Sequence, residues 1–199
     1  MLKITLLTCL RSDALSWQEP LAVQKECYAA AHGYIFVKHQ AIWESPVIGK
    51  LDLFDRYLPE TDWLVWMDAD TYIANFEIKL ENYISPRTSV VLGNRIYCVD
   101  PGVLMLGNDA HTRFYLNQVR SWVGQWRASC PKSCHAKCAW FMAFKIRRTS
   151  IFARFAGDWL STHPDNPYPH FTVHPYDRPD KEAVLMGLLA NQMCSKVLD

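Results

Sequence analysis

No apolar stretch of this chain approaches the roughly 20 residues needed to cross a bilayer, and its amino terminus runs straight into a strand-like pattern, so neither a signal peptide nor a membrane anchor is expected. Charge of one sign is also scarce. The formal net charge is +1, with no run of like charges, which leaves no field to steer nucleic acid or an acidic surface. Nucleic acid is therefore not expected as a partner. Internal repeats and low-complexity segments are absent. The seven cysteines are an odd number, which fits poorly with a fully paired secreted framework, and reduced thiols in a cytoplasmic protein are expected instead. The C-x2-C spacing of zinc ribbons is missing as well. Cys130, Cys134 and Cys138, with His135 among them, are read as incidental thiols, a disulfide or zinc site being the alternative.

What the chain does have is apolar bulk. Its 199 residues are 50% hydrophobic, enough for one domain with a substantial core. The stretch from Asp62 to Asn75, DWLVWMDADTYIAN, organises the rest. Its run Trp63 to Met67 is short, aromatic and β-branched, the pattern of a strand covered on both faces in the middle of a parallel sheet. It stops at Asp68 and Asp70. On an extended backbone, residues two apart share a side, so both carboxylates would face one small volume past the carboxyl end of the strand, where open α/β sheets place ligands. Two such neighbours repel unless a cation lies between them. Hard oxygen donors suit magnesium or manganese, which take one or two protein carboxylates and fill their other positions with water and phosphate. The implied partner is a metal-bound diphosphate. Taken alone, Asp-x-Asp also ends strands for purely local reasons; the apolar run before it favours the ligand.

Around this centre the chain reads as alternating strands and helices. Lys3 to Leu10 is a first strand followed by polar Arg11, Ser12 and Asp13, a natural nucleotide loop, which makes Thr8 and Arg11 donor-binding candidates. A helix follows through Ala22, Val23, Cys27, Ala30 and Ala31 to a stop at Gly33, then a strand from Tyr34 to Lys38. His39 to Pro46 is irregular and holds Trp43, a residue of a cleft wall or of the core. A second helix is expected over Ile48 to Leu58. Lys50 in its first turn opposes the helix dipole, so it is either a phosphate or carboxylate contact or a solvated lysine. Ser89 to Leu92 and Val103 to Leu106 read as strands, the latter approached through a tight Asp100-Pro101-Gly102 entry whose glycine serves either a close ligand approach or a plain turn. Asp109 is placed to cap a helix striped by Tyr115, Val119, Trp122, Val123 and Trp126. Trp140 to Lys145 and Ile151 to Leu160 are buried pieces of undetermined type. Ser161 to Pro179 is a loop carrying His163, His170 and His174, one of which could complete a metal site. The last helix opens at Pro179 with Asp180 and Glu182 in its first turn, and its apolar Ala183 to Ala190 is expected to be buried.

The order HGYIFV, IGKLDLFDRYLP, DWLVWMDADTYIAN and PGVLML, over about the first two thirds of the chain, resembles a GT-A type glycosyltransferase, and more narrowly family 34, the galactosyl and mannosyl transferases. The resemblance implies an α/β chain forming a single GT-A domain over residues 1–199, with a mostly parallel central sheet flanked by helices. It implies a retaining, metal-dependent transferase that moves a hexose or pentose from a UDP- or GDP-sugar to a glycan or glycoconjugate acceptor. Asp68 and Asp70 would hold Mn2+ or Mg2+ and the diphosphate, Lys50 would match the lysine of the helix before the central strand, and Gly102 would line the donor sugar. Asp180 and Glu182 would lie near the acceptor as catalytic candidates. Two departures stand out. Asp100 and Pro101 replace the family's asparagine. The histidine that closes the family's metal site lies beyond the late helix, so His170 or His174 substitutes, or water completes the site, or the protein is a shortened form. Golgi anchoring is implied by the family only. The rival readings are a non-catalytic sugar-nucleotide or glycan binder and an aspartyl phosphatase, though the latter wants threonine or valine where Tyr72 stands.

Overall fold

The computed structural model describes residues 2–11, 16–41, 46–95, 98–126, 153–155, 161–162, 171–173 and 180–190. Trp43, the cluster of Cys130, Cys134, Cys138 and His135, Trp140 to Lys145, and His163, His170 and His174 lie outside them. The central strand reads as expected: β3 spans Trp63–Met67 and all of it is buried. It buries two faces because alternate side chains meet two different layers. Leu64 and Trp66 pack with Leu51 and Phe54 of α2 (Pro46–Tyr57) and with Tyr115 and Val119 of α3 (Ala110–Trp126). Trp63, Val65 and Met67 pack instead with Tyr28 and Ala29 of α1 (Gln18–His32), and with Phe171. Each fully buried side chain of this size contributes about 1.5–3 kcal/mol of transfer free energy, which fixes the strand between helical layers.

The remaining strands of the main sheet are β1 (Ile4–Arg11), β2 (Ile35–Ala41), β5 (Val90–Arg95), β6 (Cys98–Gly107) and β7 (Ala153–Phe155), in the order β2-β1-β3-β6-β5-β7. β1 runs parallel to β2 and β3, and β7 runs parallel to β5. β6 runs antiparallel to both of its neighbours. The sheet is thus mostly parallel and flanked by helices, with β3 between one parallel and one antiparallel partner. α1 stops where expected. Gly33 takes φ 71°, and the following Tyr34 N–H returns 2.8 Å to the carbonyl of Ala29, a left-handed cap that glycine adopts without steric cost.

Four expectations need correction. Asp100-Pro101-Gly102 is not a turn before a strand but part of β6, opposite a register shift between Leu92 and Gly93 of β5. The long loop from Ser161 contains β8 (Ser161–Thr162) and β9 (Thr172–Val173), which form a small second sheet with β4 (Tyr72–Ile73). The last helix, α4 (Lys181–Ala190), buries only Leu185, and Met186 is 44% exposed, so an apolar sequence did not imply a covered helix. Cys9 is a free buried thiol but Cys27 is disulfide-bonded; an odd cysteine count constrains the total and not any one residue. No helix among the described residues is long and apolar enough to cross a membrane.

Candidate active site

The end of β3 is held from both sides. Thr8, fully buried near the end of β1, donates its hydroxyl to the Met67 carbonyl at 2.8 Å. On the other side the Asp68 N–H donates to the Gly102 carbonyl of β6 at 2.8 Å. The chain then turns, with the Thr71 N–H bonded to the Asp68 carbonyl at 3.0 Å. Asp68 and Asp70 are therefore presented by a turn and not, as the pattern suggested, by side-chain alternation on an extended strand. The Asp68 and Asp70 side chains are 27% and 14% exposed.

Three lysines, each from a different helix, reach this turn, one to each of its three residues. Lys50 of α2 donates to Asp68 Oδ1 at 2.7 Å and to the Pro101 carbonyl at 2.9 Å. Its ammonium lies 4.8 Å from the Trp66 ring centroid, and the Trp66 indole N–H donates to the same Asp68 oxygen at 2.6 Å. Of the two readings of Lys50, the carboxylate contact is the one seen. Lys25 of α1, fully buried, donates to the Ala69 carbonyl at 3.2 Å and to the Leu21 carbonyl at 3.5 Å. Burial pushes its ammonium down to about 7, with Asp70 and then Asp68 acting in the opposite direction. Both carboxylates thus favour the charged form of Lys25, whose own hydrogen bond goes to the backbone between them. Lys181, the first residue of α4, ion-pairs with Asp70 and lies 5.4 Å from the Trp17 ring centroid.

The structure brings Thr8, Lys50, Asp68, Asp70 and Gly102 together at the tip of β3. Thr8 and Gly102 act there through backbone-directed hydrogen bonds that fix the turn. Arg11 ends β1, exposed, with its N–H bonded to Gln18 Oε1 at 3.0 Å. Asp180 and Glu182 are exposed. Glu182 accepts from the Ser16 hydroxyl, and the Asp180 carbonyl accepts from the Val184 N–H at 3.0 Å. The residue between them, Lys181, is the one that reaches Asp70. Sequence reasoning missed Lys181 and Lys25. Lys25 carried a readable signal: a charge on the helical face shared by Leu21, Ala22, Tyr28 and Ala29, all of them buried. His174 lies outside the described residues.

The donor set is two carboxylates from one turn. Among the described residues no third His, Cys, Asp or Glu gathers with them. Hard oxygens in this small number fit magnesium or manganese, which keep most of their coordination for water and phosphate oxygen. Two surface clefts among the described residues lie elsewhere, one lined by Asp55, Leu58, Arg113 and Arg120 and one at the opposite end of β3 by Asp62, Trp63 and Gly107.

No family model matches the chain, and no curated protein matches it in sequence. Solved structures do match. A glycosyltransferase involved in glycosylation of the major capsid of the virus PBCV-1 superposes with a TM-score of 0.72 at 16% identity, covering 94% of this chain and 98% of that one. GlyE, a glycosyltransferase of Streptococcus pneumoniae TIGR4, gives 0.65 at 12% identity over 100% of this chain and 62% of that one. The galactosyltransferase LgtC, solved in complex with donor and acceptor sugar analogs, gives 0.57 at 12% identity over 95% and 96%. The chain therefore has the fold of GT-A glycosyltransferases, with its aspartate turn at the carboxyl end of the central strand.

Proposed function

We propose that this chain transfers a sugar from a nucleoside diphosphate sugar to a hydroxyl of a glycan or glycoconjugate, with Asp68 and Asp70 holding Mn2+ or Mg2+. The observation that carries the reading is the Asp68-Ala69-Asp70 turn, partly exposed and met by Lys25, Lys50 and Lys181, at the carboxyl end of β3 in this fold. A fold shared with glycosyltransferases, one of them solved with donor and acceptor sugar analogs, supports the substrate class. A bound divalent cation would neutralise charge developing on the departing diphosphate. The rest is done by side chains of the chain. Lys50 and Trp66 hold Asp68 at one oxygen, so that carboxylate is oriented before ligand arrives, and the hydrogen bond from Asp68 to Gly102 fixes the backbone beneath it. UDP- and GDP-sugars of hexoses or pentoses are the donors to test, retention is the stereochemical course implied by the family 34 motifs, and Asp180 and Glu182 are assigned to the acceptor side. His174 is the assigned third ligand and Arg11 a nucleotide contact.

The test is a panel of UDP- and GDP-sugars with and without Mn2+, read both as thermal stabilisation and as sugar hydrolysis. Metal-dependent stabilisation is expected for the wild type and is expected to vanish in Asp70→Asn. Equal shifts in the two proteins would remove the assignment.

A further inference from the structure

Lys181 occupies one carboxylate of the pair to which the proposed cation is assigned. An ammonium and a divalent cation compete for the same Asp70 oxygens, and the doubled charge favours the divalent ion at equal distance. Once displaced, the ammonium is not carried away, because its helix is fastened independently of the ion pair. Leu185 is buried with Trp17, Leu21, Tyr72 and Val173, and the Tyr72 hydroxyl donates to the Leu188 carbonyl at 3.1 Å. Glu182 accepts from Ser16 on the loop that follows β1. Trp17, 5.4 Å from the ammonium, offers a second station on a ring face. The flexible four-carbon stem of lysine permits the change of partner without moving α4.

Resting on the function proposed above, we infer that Lys181 is an exchangeable counter-ion, pairing with Asp70 in the ligand-free protein and with the donor's diphosphate once a divalent cation takes that carboxylate. The exchange keeps the charge at the turn balanced in both states. Asp70 is never left as an unpaired, mostly buried carboxylate, and the diphosphate meets a cation supplied by the protein in addition to the one it brings. Sequence patterning pointed to the carboxylates on either side of Lys181; the geometry points to the lysine between them.

An exchangeable Lys181 gives effects of crossed sign that a merely structural lysine does not. Titration calorimetry is run on wild type and Lys181→Met with Mn2+ alone, and then with UDP and with GDP at saturating Mn2+. Mn2+ alone should bind several-fold tighter to Lys181→Met, because its competitor is gone. The preferred nucleoside diphosphate should bind about tenfold weaker, the loss expected for one charge-assisted contact. Lys181→Arg, which keeps the charge, should hold both affinities near wild type, and thermal melts of all three proteins control for folding. If Lys181→Met weakens Mn2+ and nucleotide together, or moves neither, the exchange is overturned while Mn2+ binding by the wild type still stands. A wild type that binds no Mn2+ overturns the metal reading, and the exchange falls with it.

Discussion

Lys50 of α2 and Asp68 at the end of β3 meet at 2.7 Å, and the same lysine takes the Pro101 carbonyl of β6 at 2.9 Å. One ammonium thereby joins a helix to two neighbouring strands at the point where the candidate site begins. Lys50 is 7% exposed, so replacing it by methionine preserves bulk but removes the cation paired with Asp68, leaving that oxygen the Trp66 indole N–H, and takes the lysine donor from the Pro101 carbonyl. Breaking a buried pair from one side costs about 3–5 kcal/mol, and the partial exposure of Asp68 reduces this to about 1–3. Lys50→Met should lose that much in urea unfolding and should also lose Mn2+-dependent nucleotide stabilisation. A loss below about 0.5 kcal/mol would show that the pair does not hold the site.

Gln24 of α1 acts as a strand edge for the segment that follows the aspartate turn. Its amide donates to the Ile73 carbonyl at 3.1 Å and accepts from the Ile73 N–H at 2.9 Å. The side chain is buried, so Gln24→Leu leaves two backbone groups without a partner or water. At about 1–3 kcal/mol for each stranded group, the variant should lose at least 2 kcal/mol, measured by chemical unfolding. Amide exchange at Ile73 should accelerate with it.

At the other end of β3, Asp109 Oδ1 accepts from the Thr112 N–H at 2.9 Å and caps α3. Asp109→Ala should cost about 1 kcal/mol in unfolding free energy, as for other N-cap carboxylates, and should leave Mn2+ and nucleotide binding unchanged.

This cap, the Gly33 stop and β3 itself were legible because each depends on residues a few positions apart. Five apolar residues in a row need two packed faces, and the fold supplies them. The direction of β6 was not legible, since the apolar segment from Val103 to Leu106 reads the same for either pairing. Pro101 made the residues before it look like a turn. It is tolerated inside β6 because Leu92 pairs with Leu104 and the next residue, Gly93, pairs with Asp100, so Pro101 opposes no partner on β5 that needs its missing N–H. That irregularity leaves a carbonyl for Lys50 to take. Two of the three lysines were hidden for another reason: Lys25 and Lys181 approach the turn from 44 residues before Ala69 and from far beyond Asp70, and no local period encodes such meetings. The buried expectation for α4 failed because apolar composition does not state which surface covers it.

Lys25 supplies a pH test of the same site. A leucine or methionine would fill its place with no charge to desolvate, whereas Lys25 is fully buried, and burial pushes its ammonium down to about 7 from the ordinary lysine value of 10.5. Because the folded value is the lower, the unfolded chain binds the extra proton between the two. Stability therefore rises with pH across that window, by at most about 1.4 kcal/mol per unit for one group, and it is flat with respect to Lys25 below the folded value. Unfolding free energies of wild type and Lys25→Met, measured at intervals from pH 6 to pH 10, isolate the contribution as a difference. The difference should favour the methionine variant most at the acid end and shrink steadily above pH 7. In Mn2+ the added positive charge beside Asp68 and Asp70 should hold the lysine neutral at lower pH, so the window should open earlier. A difference that does not vary with pH would mean that Lys25 keeps its proton in the folded protein throughout this range, as it does in the unfolded chain, and the aspartate turn would then not be resting on a titrating cation.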